Sequence, residues 1–264
     1  MPSLPKRDFH PLPIPGHPSS PPNLSLSNSS IWTYCGPLLP LTTPLPATYQ
    51  TWQSRTLSAP LEPYLLPLLH VVHAFLAQHS KHHYWLTIRA SRPTTEFDAP
   101  RWHTDDHFFD PARSADAVGL WKLCAALQGP GTMFAADGKG ARAHVCSVVR
   151  CVACGATGEE VRAVVAKGLE GREVVHAGAH GEMVFFRGGG GGGGGHAEGR
   201  IGGDRVFVNV VPGTEEELRG LMARWGMEFP RSWSFGVPLM LDGDGEGEWD
   251  GRRGEETRVV EGVV

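Results

Sequence analysis

The run Arg205-Val206-Phe207-Val208-Asn209-Val210-Val211 constrains this chain more than any other stretch. It alternates with the period of a strand. Val206, Val208 and Val210 fall on one face, and Arg205, Phe207 and Asn209 on the other. An arginine directed inward beside Phe207 and Asn209 is costly to bury unless an anion meets it. That anion is either a bound ligand or a neighbouring carboxylate, Asp204 or Glu198. Further strands are expected at residues 84–90, 119–127, 173–176 and 181–187, where aromatic and β-branched residues cluster. The first two are closed by turn chemistry, most strongly Gln128-Gly129-Pro130-Gly131-Thr132.

Helices are expected on the flanks. Leu65, Leu69, Val72 and Leu76 recur at helical spacing within residues 61–81, with Pro63 suited to the first turn and Pro67 set to kink the helix. Thr157-Gly158-Glu159-Glu160 and Thr214-Glu215-Glu216-Glu217 carry the capping-box pattern and open helices to about Lys167 and Trp225. Residues 1–60 hold thirteen of the twenty-two prolines and four charged residues, which predicts a largely irregular, Pro/Ser-rich arm. The domain proper is expected over residues 61–240. Residues 241–264 form a glycine-rich acidic stretch with the composition of a disordered tail.

Composition excludes several classes. A net charge of −4 and no basic stripe argue against a general affinity for nucleic acid or anionic membrane. No apolar run reaches transmembrane length, and the proline-studded start lacks a signal core. Five cysteines make no disulfide framework, so a reducing cytoplasmic or nuclear setting is expected.

Chemistry concentrates in Arg101-Trp102-His103-Thr104-Asp105-Asp106-His107-Phe108-Phe109. In an extended backbone His103 and Asp105 point to one side and can converge on a single metal ion. His107 shares that face. A third ligand is expected ninety-one residues beyond Asp105, at His196, directly after the eight glycines of residues 188–195; His180 and His176 compete for the role. Arg205 follows His196 by nine residues at the head of its strand. Two imidazoles and one carboxylate leave three coordination positions open, the arrangement that suits non-haem Fe(II) and O2.

In this order and spacing, His103-x-Asp105, a remote His196 and Arg205 resemble the signature of the Fe(II)/2-oxoglutarate-dependent oxygenases, over roughly residues 84–212. The resemblance implies a mainly β, α+β fold with flanking helices around a double-stranded β-helix, or jelly-roll (cupin-like), core. It implies iron on His103, Asp105 and His196, with no catalytic residue beyond these ligands. It also implies 2-oxoglutarate with its far carboxylate on Arg205, and hydroxylation of an unidentified substrate coupled to formation of succinate and CO2. Lys122, the one charge in the strand at 119–127, is a second candidate for the acidic co-substrate if its face is the inner one; otherwise it is an outward lysine on a sheet edge. Trp102, Phe108 and Phe109 would form part of a dry wall.

Two other readings stand beside this one. The first is a non-catalytic or regulatory domain that keeps the fold and a metal. The second is a small zinc protein built on His144, Cys146, Cys151 and Cys154, whose spacing is cramped for that purpose and better suits buried thiols. His70 with His73, and His79 with His83, have helical spacing for zinc but lack partners to complete four ligands.

Overall fold

Arg205–Gly213 (β10) forms the middle strand of a seven-stranded sheet in the computed structural model, which describes residues 9–41, 44–95, 98–105, 109, 121–151, 158–187 and 194–237. The other strands are β1 (Phe9–Pro13), β2 (Ser30–Pro37), β3 (His83–Ser91), β4 (Arg101–His103), β5 (Trp121–Gln128), β6 (Thr132–Ala135), β7 (Val174–Ala177), β8 (Glu182–Arg187), β9 (His196–Glu198) and β11 (Arg231–Phe235). The large sheet runs β1-β8-β5-β10-β3-β2-β11, and a four-stranded sheet runs β4-β9-β6-β7. With helices α1 (Ala47–Thr56), α2 (Glu62–Gln78), α3 (Gly138–Cys151), α4 (Gly158–Leu169) and α5 (Glu215–Arg224), the class is α+β with antiparallel sheets.

From β3 to β10 the pairing is nested. The first strand pairs with the last, β3 with β10, and inside them β4 with β9, β5 with β8 and β6 with β7. Alternate residues of these strands divide the apolar side chains into layers. Val206, Val208 and Val210 pack outward under α1 and α2 with Trp32, Tyr49, Trp52, Leu65 and Leu69. Trp102, Ala135 and Ala197 pack under α3 and α4 against Ala141, Val145, Val165 and Leu169. Between the sheets lie Phe9, Cys124, Phe134, Val184 and Phe186, with the Phe134 ring 4.6 Å from Phe9 and 5.4 Å from Phe186.

The expected irregular arm is corrected over its described residues. β2 lies between β3 and β11 inside the large sheet, and Trp32, Tyr49 and Trp52 are fully buried. Proline content misled because the prolines stand where they do little harm. Pro11 and Pro13 lie in β1, an edge strand, and Pro46 immediately precedes α1. The Trp32 and Trp52 indoles donate to Thr48 Oγ1 at 3.1 Å and to Ser30 Oγ at 2.8 Å, tying the segment to itself.

The helices expected at 61–81 and 214–225 are present. α2 continues through Pro67, and Thr214 and Glu217 close a reciprocal capping box on α5. α4 begins at Gly158; its expected cap Thr157 lies outside the described residues, as do residues 238–264 with the expected tail. α3 was not foreseen. Its start signal is Asp137, whose Oδ1 accepts the Gly140 amide at 3.0 Å, and its buried face is Ala141 and Val145. No helix among the described residues is long and apolar enough to cross a membrane.

Candidate metal centre

β4 and β9 are hydrogen-bonded neighbours in which His103 stands directly opposite His196, and both side chains face the gap between the sheets. The two ring centroids are 4.3 Å apart. The chain leaves β4 and, two residues on, returns the Asp105 carboxylate to the same point. His103 Nε2 lies 3.9 Å from Asp105 Oδ1, and His196 Nε2 lies 3.6 Å from Oδ2. One ligand atom from each of the three side chains falls within 4.8 Å of the others, and the group can hold a metal ion.

Protonation favours that use. His103 Nδ1 donates to the Arg101 carbonyl at 2.9 Å and His196 Nδ1 to the Gly194 carbonyl at 3.4 Å. Both Nε2 lone pairs are thereby left toward Asp105, at distances too long for hydrogen bonds. Burial lowers His196 to about 3, with His103 and Lys122 adding to it, and burial likewise lowers His103. Burial alone would raise Asp105, but the Lys122 ammonium, then His196 and His103, outweigh it and hold the carboxyl at about 2. Two neutral imidazoles and one carboxylate are the ionic forms a divalent cation needs.

The competing histidines are elsewhere. His176 is exposed on β7, and His180 is half-buried away from the site, with Nε2 3.3 Å from the Ser19 carbonyl. His107 lies outside the described residues. His144 and Cys146 sit on α3, where the His144 ring lies against Gly168; neither joins a metal-binding group among the described residues, and Cys154 lies outside them. The histidines of α2 join none either.

Trp102 is corrected. It alternates with His103 and therefore points away from the site, into the layer under α3 and α4. Phe109 packs with Trp85, Val211 and Leu218, while Phe108 lies outside the described residues. The aromatic wall is instead Phe186 and Phe134, whose ring centroids are 4.8 and 6.0 Å from His196. Phe186 could have been found from the alternation of residues 181–187.

Arg205 is 1% exposed and faces inward over the Phe207 ring, at 4.4 Å. Its Nε donates to the Pro130 carbonyl at 2.9 Å, and Nη1 lies 3.8 Å from Glu198 Oε1. Among the described residues, neither Nη nitrogen has a hydrogen-bond partner. The turn expected at residues 128–132 makes this possible. Gly129 adopts φ +83° with its α-carbon against the Arg205 side chain, and a Cβ on Gly131 would fall 2.4 Å from the Ala177 carbonyl oxygen. Of the two carboxylates expected to pair with Arg205, Asp204 instead accepts the Leu26 amide at 2.8 Å. Glu198 is nearer to Arg89, at 3.0 Å. Arg89 went unnoticed in the sequence, although the alternation of residues 84–90 assigns it a face with Thr87.

Lys122 is on the inner face of β5. Its ammonium lies 3.2 Å from Asp105 Oδ2, both side chains being almost fully buried, and 5.7 Å from the Phe186 ring centre. Thus Lys122 belongs to the metal end of the site. Glu198, beside Arg205, stands one strand repeat, roughly 7 Å, from His196 on the same face of β9. Cys124 lies within the fields of both Lys122 and Arg205. Comparison with protein-family models and with curated proteins finds no match to this chain.

Proposed function

We propose that the chain is an Fe(II)- and 2-oxoglutarate-dependent dioxygenase that hydroxylates an unidentified substrate. The observation that carries the reading is the meeting of His103 and Asp105 with His196, ninety-one residues and more away in the chain, beside a buried Arg205 whose Nη groups lack hydrogen bonds among the described residues. The nested pairing of β3 through β10 across two sheets supports a double-stranded β-helix core, since this is the pairing of a long hairpin rolled into two layers.

The residues fit both groups. Two nitrogen donors and one carboxylate suit a first-row divalent ion and leave positions for further ligands. Bound iron with 2-oxoglutarate supplies the oxidising power, consuming O2 and releasing succinate and CO2. The protein's part is to bind, orient and exclude water. His103, Asp105 and His196 hold the ion. Arg205 offers two parallel N–H groups to a carboxylate, a geometry matched by its planar fork. Charge agrees: Arg89, Arg101 and Arg205 surround the single carboxylate of Glu198, which leaves the region positive for an incoming carboxylate. Phe134 and Phe186 keep the imidazole edges dry, which strengthens every charge interaction within.

The test is turnover of 2-oxoglutarate to succinate by purified protein with Fe(II), measured without added substrate. Slow conversion is expected, and His103→Ala should abolish it. A well-folded preparation that neither binds Fe(II) nor makes succinate refutes the proposal, and iron binding without succinate leaves the non-catalytic metal-binding reading in its place.

A further inference from the structure

Lys122 raises a question that the ligand set alone does not answer. A lysine ammonium is itself a cation, and this one is buried among the groups that would hold another. It lies 3.2 Å from Asp105 Oδ2, the same oxygen that approaches His196 Nε2 to 3.6 Å. It touches the same ring, Phe186, that packs 4.8 Å from His196. The ammonium therefore shares one carboxylate oxygen with a candidate ligand.

A divalent ion entering beside a fixed ammonium is repelled, because in a buried site two cations a few ångströms apart interact strongly. Repulsion is relieved when the ammonium leaves Asp105 for another anion. The one anion the site is otherwise built to take is an acidic co-substrate, anchored by Arg205 at one end and reaching the metal end with the other. Lys122 is long and flexible enough to turn from one carboxylate to the next, since its charge is a point on a four-carbon stem.

We propose that Lys122 is a surrogate cation that neutralises Asp105 until metal and an anionic co-substrate arrive together, so that each tightens the binding of the other. This rests on reading the site as a metal centre that takes a dicarboxylate. Lys122 is here a positioning residue that couples the two binding events. A coupling of this kind is reciprocal: whatever factor the dicarboxylate adds to metal affinity, the metal adds to dicarboxylate affinity.

The experiment is calorimetric titration of the full chain with Mn(II), with and without 2-oxoglutarate, for the wild type, Lys122→Met and Lys122→Gln. The second variant keeps a hydrogen-bonding group beside Asp105 in case the first does not fold. Expected is Mn(II) binding about tenfold or more tighter in both variants than in wild type when no co-substrate is present. The gain from 2-oxoglutarate, large in wild type, should shrink by a similar factor. If the folded variants bind Mn(II) equally or more weakly, Lys122 only steadies the carboxylate from behind and the proposal is overturned. A different outcome separates the underlying reading. If wild type and variants alike bind no Mn(II), or if His103→Ala binds it as well as wild type, the metal centre itself is wrong and this inference falls with it.

Discussion

Replacing Arg205 by methionine tests the anion site most directly. Arg205 is 1% exposed, its Nε is committed to the Pro130 carbonyl, and both Nη nitrogens lack hydrogen bonds among the described residues. A carboxylate received by those two nitrogens makes two charge-assisted bonds, which at about 1.5–3 kcal/mol each amount to about 3–6 kcal/mol. At about 1.4 kcal/mol per tenfold, affinity for 2-oxoglutarate should fall by roughly 100- to 10,000-fold. The fold should survive. Glu198 keeps Arg89 at 3.0 Å, so no carboxylate is stranded, and the lost Pro130 bond costs about 1 kcal/mol. Arg205→Lys keeps the charge without the fork and should recover only part of the loss. The assay is titration of Mn(II)-loaded protein with 2-oxoglutarate, with a melting curve on each variant. Mn(II) affinity measured alone should stay within a few-fold of wild type. A folded Arg205→Met protein that binds 2-oxoglutarate within threefold of wild type would falsify the fork argument.

Other consequences are equally measurable. Burial holds His196 down to about 3 and His73 to about 4, below the ordinary 6.5, so as pH drops the unfolded chain takes up protons that the folded chain refuses. Asp105, its burial outweighed chiefly by Lys122, lies at about 2 against 3.8 and extends the effect downward. Stability of the metal-free chain should therefore fall steadily below about pH 6.5, read as a declining melting temperature; a flat profile from about pH 7 to about pH 4 contradicts the burial of these groups. Gly131→Ala forces a Cβ to within 2.4 Å of the Ala177 oxygen and should lower the melting temperature while also weakening 2-oxoglutarate binding through the displaced Pro130 carbonyl. Deletion of residues 1–60 removes β2 from inside the large sheet together with Trp32, Tyr49 and Trp52, and should leave no cooperative melting transition. A shortened chain that melts sharply would show that the segment is dispensable.

The parts of this architecture that the sequence made legible share a cause: each was written in local periodicity or in a short-range cap. β10, α2 and the Thr214 cap are of this kind. His103 and Asp105 were legible as a pair because two residues are one strand repeat. The pairing of His103 with His196 was only an expectation, since register between strands so remote is set by the whole nested arrangement and by no local signal. Trp102 shows the limit of reading a motif as a block. The alternation that unites His103 with Asp105 also turns Trp102 the other way. The described part of the arm holds more regular structure than its composition suggests, because proline counts say nothing of whether each proline stands at an edge, before a helix or inside a pairing. Lys122 could be given a face from alternation but not a partner, which required Asp105 to be folded back over β5.

β4 is three residues long and, among the described residues, has a single neighbour, β9. Few backbone bonds secure such a margin, and a short outermost strand is where a sheet first comes undone. Since His103 and His196 stand across that one seam, an ion gripped by both is also a rivet through it. Metal supply would then govern how long this rim resists proteases, which limited proteolysis with and without Mn(II) reads directly.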